Sequence, residues 1–248
     1  MKSNIFTVID QAIAKAGGSK DPKEVADKNG ILVGSPLVGN LIGMAMRMGY
    51  MGAIAVNERL NYIWKMFALW HEIAHVLRKH VDEPSFVFHK DTQLFTIPVD
   101  SLTIPRHEFE ANLISAEYNL DTNVILNLIG YYDKTMIEFR HTKKEIAQKK
   151  QKYNNILYSL NPKNISRNSK IQLLEYKRDL KDLTEKYYDL CSDISSLDYC
   201  KSISELAGEM DSNEIILGFK FKAMELNGID DIEFPELPQY NRVFSCAL

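Results

Sequence analysis

The run His71-Glu72-Ile73-Ala74-His75 constrains this chain more than any other feature in it. Two histidines four positions apart lie one turn from each other on one face of an α-helix, so both imidazoles reach a single point in space. Neutral imidazole suits Zn²⁺, and a third protein ligand would leave one position open for water. The metal brings the pKa of that water towards neutrality, and a carboxylate beside it, here Glu72, takes the proton. The surroundings favour a helix. No Gly or Pro interrupts residues 60–81, and Ile63, Phe67, Trp70, Ile73, Ala74 and Leu77 follow helical spacing. The spacing predicts one long, mostly buried helix with the motif in its second half. The plainer account is a core helix carrying two hydrogen-bonded histidines and one surface glutamate, but adjacent His and Glu on an apolar helix are costly to bury without partners.

A third ligand must come from another segment. Residues 103–112 read as a helix start, with Thr103 as N-cap and Pro105 tolerated in the first turn. Glu108 and Asn112 are four apart and share a face. That suits a carboxylate on the metal with a hydrogen-bonding side chain behind it. Glu110 points elsewhere on the same helix and is the weaker alternative. His80 is a competitor, but the metzincin pattern needs glycine where Arg78 stands and histidine where Val81 stands. His80 fits better as a helix C-terminal residue. His107 and His89 read as exposed loop histidines.

The HEIAH run together with residues 108–117, EFEANLISAE, resembles the ImmA/IrrE family of small intracellular zinc peptidases. The family pattern is HExxH followed by a helix reading roughly E-x-x-A-N-x-F-A-A-E. Ile114 stands where the family usually has Phe, Ser115 stands at its first Ala, and Tyr118-Asn119-Leu120-Asp121 replaces Leu-Leu-x-Pro. Residues 21–26 resemble the family's opening helix and 52–57 the strand before the metal helix, so the likeness covers roughly 21–127. The resemblance implies zinc held by His71, His75 and Glu108, Glu72 as general base, and Asn112 in support of the ligands. It also implies a zincin-like α+β body. In such folds a small sheet sits above the metal helix and its edge strand binds extended substrate by β-addition. The candidate edge is Ala53, Ile54, Ala55 and Val56. The expected substrate is a separate cytoplasmic protein, a helix-turn-helix repressor of a mobile element or stress response, since this chain shows no such domain. Tyr118, His107 and His89 are candidates for a transition-state electrophile.

At 248 residues the chain is long enough for one sizeable core and an appendage. A net charge of −3 gives no global attraction to nucleic acid or anionic membrane. Cys191, Cys200 and Cys246 form neither a disulfide framework nor a zinc knuckle, which fits a reducing cytoplasm. Cys246 is one residue short of a prenylation box, Asp10 and Gln11 interrupt any signal-peptide layout, and no apolar run is long enough to span a bilayer.

Helices are expected over 5–16 and from Asp21-Pro22 to Gly30, then short glycine-linked strands over 31–56. Met44, Met46, Met48 and Met51 cluster there, and core filling is a better account of them than an adaptable substrate surface. Residues 84–102 read as a linker with a short strand at 93–97, and another helix covers 122–129. Beyond Tyr132 the pattern changes. Leu173, Tyr176, Leu180, Leu183, Tyr187, Leu190, Ile194 and Leu197 alternate spacings of three and four, and Phe139, Ile146, Tyr153 and Leu160 recur every seven. The turn signal Asn161-Pro162-Lys163-Asn164 separates the two runs. An antiparallel helical hairpin over 134–198 follows. Its first arm (135–170) carries nine Lys/Arg against two Asp/Glu, its second (171–199) four against seven. Such arms pair with each other rather than with nucleic acid.

The expected organisation is a catalytic body at 1–131, an inserted hairpin at 132–199, and C-terminal helices (about 202–207 and 215–226) with an extended tail at 200–248. The expected protein is a cytoplasmic zinc endopeptidase with no nucleic-acid or membrane partner. A homodimer through the hairpin is a further expectation. The alternative is a non-proteolytic zinc-containing binding protein, antirepressor or toxin-like, acting through that hairpin.

Overall fold

The computed structural model describes residues 4–34, 41–81, 86–90, 105–159, 166–229, 232 and 234, with Met48 and residues 86–90 described in backbone only. The chain divides into two compact units. The described residues of 1–125 and 203–232 form the first, and those of 126–202 with Phe234 the second.

The first unit is mixed α and β. It opens with α1 (Asn4–Lys15) and α2 (Pro22–Lys28). Asp21 caps α2 by accepting from the Lys23 amide at 2.9 Å, and the chain leaves through Gly30 at φ +71°. Three strands follow, β1 (Ile31–Val33), β2 (Leu41–Met48) and β3 (Met51–Val56). The β2–β3 turn is the pair Gly49-Tyr50, with Gly49 at φ +61° as a two-residue hairpin turn requires. A fourth strand, β4 (Phe86–Lys90), forms where a linker was expected. The strand proposed at 93–97 lies outside the described residues.

The order across the sheet is β1-β3-β2-β4, with β1 parallel to β3 and β2 antiparallel to both its neighbours. This corrects the edge-strand expectation. Ala53, Ile54, Ala55 and Val56 lie on β3, which is internal, because Ile31–Val33 pair with Gly52, Ala53 and Ile54 along its far side. Among the described residues the edges are β1 and β4. Of the four methionines, Met44 and Met46 are half-buried and Met51 is exposed rather than core, and the Met48 side chain lies outside what the structure describes.

The motif helix, α3 (Tyr62–Leu77), starts at Asn61, whose side chain caps the Trp64 amide at 3.0 Å. Residues 67–75 are buried without exception. A helix buried on every side must be covered on every side. β2 and β3 cover one face of α3 and α4 (Arg106–Asn119) the other. The α4 N-cap is Pro105, with no side-chain cap, so the helix begins later than Thr103 would have started it. Ser115 ties the two helices by donating to the Phe67 carbonyl at 2.5 Å. After α5 (Thr122–Leu128), the first unit resumes with α8 (Ile203–Glu209) and α9 (Glu214–Leu226). Lys220 of α9, fully buried, reaches the Glu117 carboxylate of α4 at 2.8 Å and its carbonyl at 3.0 Å. Asn227 donates to the other Glu117 oxygen at 3.2 Å, so this buried charge pair is hydrogen-bonded on both sides.

The second unit is built on a long hairpin, α6 (Lys134–Ser159) and α7 (Arg167–Ser195). Met136, Phe139, Leu190 and Ile194 form its buried core, flanked by Tyr187, Cys191, Leu197 and Tyr199. Further along, the seam residues Leu173, Tyr176, Leu180 and Leu183 are half-buried, as are Ile146 and Tyr153 opposite. Two helices alone do not enclose a seam completely. Cross-arm ion pairs Lys149–Asp179 (2.6 Å) and Lys186–Glu138 (2.7 Å) carry the opposite charges of the arms. The turn at 161–164 and Leu160 lie outside the described residues. At the open end Arg140 donates to the Tyr131 carbonyl and lies 4.4 Å over that ring. Among the described residues no helix is long and apolar enough to cross a membrane.

Candidate metal centre

The second half of α3 and the first turns of α4 place three donors together. His71 and His75 Nε2 are 3.0 Å apart, Glu108 Oε2 is 3.3 Å from His71 Nε2, and Glu108 Oε1 is 3.5 Å from His75 Nε2. A tetrahedral ion with N and O ligands at about 2.0–2.1 Å spaces its donors about 3.3 Å apart. The triangle therefore has the size of one face of such a coordination shell. Both imidazoles are fully buried and the carboxylate is partly exposed, and these three residues can hold a metal ion. The donor set, two imidazoles and one carboxylate, suits zinc and leaves room for a fourth ligand.

Glu72 is also fully buried. Burial pushes its carboxyl well above the ordinary range, and the negative charge of Glu108 adds to that effect. Space for it comes from the strand above. A Cβ on Gly43 of β2 would sit 2.1 Å from Glu72 Oε1 and 2.9 Å from its Cδ. Gly52 of β3 does the same for Val76, whose Cγ1 would lie 2.3 Å from an added Cβ. Two strand glycines thus admit the side chains of successive turns of α3. Glycines at 43 and 52 are the signal in the sequence, easily read as turn residues instead. Burial also lowers the pKa of His75 to about 4, which keeps its imidazole neutral and able to ligate at physiological pH.

Asn112 is buried on the Glu108 face of α4, and its Oδ1 accepts no hydrogen bond among the described residues. Glu110 is directed away from the three donors. It bonds Arg78 at 2.7 Å and Arg106 at 2.8 Å, and those guanidiniums hold its carboxyl below the usual range. No family model, curated protein or solved structure matches this chain.

Of the remaining candidates, Tyr118 is engaged elsewhere. Its hydroxyl donates to Asp10 at 2.7 Å and its ring packs on Trp70, with centroids 5.2 Å apart. His107 lies at the rim, nearly half exposed, with Nε2 3.3 Å from Glu108 Oε1. His89 is paired with Gly43 in the sheet register. His80, read as a helix terminus, is one. Lys79 adopts φ +58°, and the His80 amide returns to the His75 carbonyl at 2.9 Å, closing α3 in a Schellman turn. That turn also brings the His80 ring against His75, with centroids 5.2 Å apart.

Proposed function

We propose that this protein is a zinc-dependent endopeptidase with a zincin-like body, similar in its motifs to the ImmA/IrrE peptidases. The supporting observation is the buried Glu72 beside the three-donor cluster. A carboxylate with a raised pKa in a closed core is a stability cost that a structural metal site has no need of. Zinc bound by His71, His75 and Glu108 would supply an acidified water and polarise the scissile carbonyl. Glu72 takes a proton from the attacking water as its oxygen joins the carbonyl carbon. It returns that proton to the amine nitrogen as the C–N bond breaks. Asn112 steadies the ligand face of α4, and β4, the edge strand that pairs with β2 at Gly43, aligns an extended peptide by backbone pairing. The substrate is a specific cytoplasmic regulator, a separate helix-turn-helix repressor of a mobile element or stress response, whose cutting ends repression.

The experiment is Glu72→Gln on the purified protein with its repressor substrate. Zinc content and fold are expected unchanged, and cleavage falls by about three orders of magnitude, the scale of losing general base catalysis. Near-normal cleavage by that variant would refute the peptidase mechanism. A repressor response that survives in the variant would favour a non-proteolytic binding protein.

A further inference from the structure

His80 and Glu110 fall outside the ligand set, yet they join it through a chain of side chains. His75 Nε2 faces His71 and Glu108, which makes Nε2 the ligating atom. A neutral imidazole that ligates through Nε2 carries its proton on Nδ1. That Nδ1 lies 3.3 Å from Nδ1 of His80. The His75 Nδ1–H must then donate, so His80 Nδ1 accepts and its own proton sits on Nε2. His80 Nε2 is 3.4 Å from Glu110 Oε2. Glu110 in turn receives Arg78 Nη2 on the same oxygen and Arg106 Nε on the other, at 2.7 and 2.8 Å. Every proton in this row has one direction, from metal site to carboxylate.

We propose that His80 and Glu110 are positioning residues for the metal, a directed row of hydrogen bonds that fixes the tautomer and ring orientation of His75. Metal-ligating histidines gain basicity when their second nitrogen donates to an acceptor backed by a carboxylate. Here that acceptor is another histidine, set in place by the Schellman turn that ends the ligand helix. Lys79 holds a left-handed conformation that glycine would adopt more easily, and the following residue is thereby turned back onto His75. Arg78 and Arg106 bond both oxygens of Glu110, so the row ends on a carboxylate held from two sides. The row spans α3, the turn after it and α4, so it also fixes how the two ligand-bearing helices face each other. This inference rests on the reading of His71, His75 and Glu108 as a metal site.

The test compares zinc affinity, by competition against a chromophoric chelator, in the full chain and two variants. His80→Phe keeps a ring against His75 but removes the acceptor; His80→Leu stands in for it should the larger side chain prevent folding. His80→Asn removes the ring but offers Oδ1 at the position of the lost Nδ1. The acceptor-less variant is expected to bind zinc about 10–100-fold more weakly, and His80→Asn to recover to within about threefold of wild type. Cobalt(II) loaded into wild type and His80→Asn should give similar visible bands, shifted in the acceptor-less variant. An acceptor-less variant that binds as tightly as wild type overturns the inference. So does an equal loss in both variants, which would mean packing rather than hydrogen bonding. A wild-type chain that takes up no zinc overturns the metal site itself and the row with it, whereas normal wild-type binding with unaffected variants removes the row alone.

Discussion

At the scale of single residues, the donors of the candidate metal centre come from one helix and one residue of the next. His71, Glu72 and His75 lie within one helical turn, so their spacing fixes their relative positions before any tertiary fold is known. Spacing alone separates Glu108 from Glu110 less sharply, since both lie near the start of one helix. Their partners decide between them: Glu108 meets the buried imidazoles of His71 and His75, with His107 at the rim, and Glu110 meets two guanidiniums and His80. The role of Glu110 depends on Arg78, which is 32 positions away, and no spacing rule reaches that far. The buried Glu72 also sets a pH dependence. Below about 4.5, its ordinary value, the carboxyl is protonated in folded and unfolded chains alike, and burial costs no charge. As pH rises above that, the unfolded chain ionises while the fold resists, so stability is lost with rising pH up to the raised folded value. Metal-free Glu72→Gln is therefore expected to be more stable than metal-free wild type at pH 7, with the gap closing as pH falls to about 4.5. Urea midpoints in the presence of chelator, taken at both pH values, check this. A gap that is absent at pH 7, or that widens towards acid, would contradict it.

At the scale of elements, the periodic helices and the short strands over 31–56 were readable, and the order of the sheet was not. Residues 134–198 announce a hairpin through a seven-residue recurrence in the first arm and an unbroken three-four spacing over 173–197 in the second, and α6 and α7 lie on it. The sheet needs partners distant in sequence. β4 pairs with β2 from beyond α3, and β1 covers the side of β3 that had been taken for an edge. Those pairings leave no local signature in short glycine-rich strands. What the glycines do report is close approach. Gly43→Ala would drive a methyl group into the Glu72 carboxylate, and Gly52→Ala would drive one into Val76. Both changes should cost about 1–3 kcal/mol of stability by overpacking. Only Gly43→Ala should also lower the activity of the folded, zinc-loaded protein, by tenfold or more, because it displaces the base. Specific activity corrected for zinc content separates the two. Equal activity in the two variants would deny that Gly43 is there to admit Glu72.

At the scale of the whole molecule, residues 126–202 interrupt a unit that resumes with α8 and α9. The hairpin has its own buried core, and its two ends meet: the Tyr199 hydroxyl lies 3.4 Å from Asp133, and its ring packs at Gly130. A short Gly/Ser linker in place of 134–198 closes that gap at little entropic cost. The shortened chain is expected to fold and hold its metal with unchanged stoichiometry. If the hairpin recruits substrate, cleavage of the full-length repressor falls while cleavage of a short peptide spanning the cut persists. Equal loss on both would argue against recruitment. The proposed activity depends on the three donors, and the metal content of the purified chain tests them most directly. Wild type and Glu72→Gln should each carry about one zinc per chain, and His71→Ala, His75→Ala and Glu108→Ala should each carry none. Wild type without zinc, or a Glu108→Ala variant that keeps it while Glu110→Ala loses it, would contradict the account.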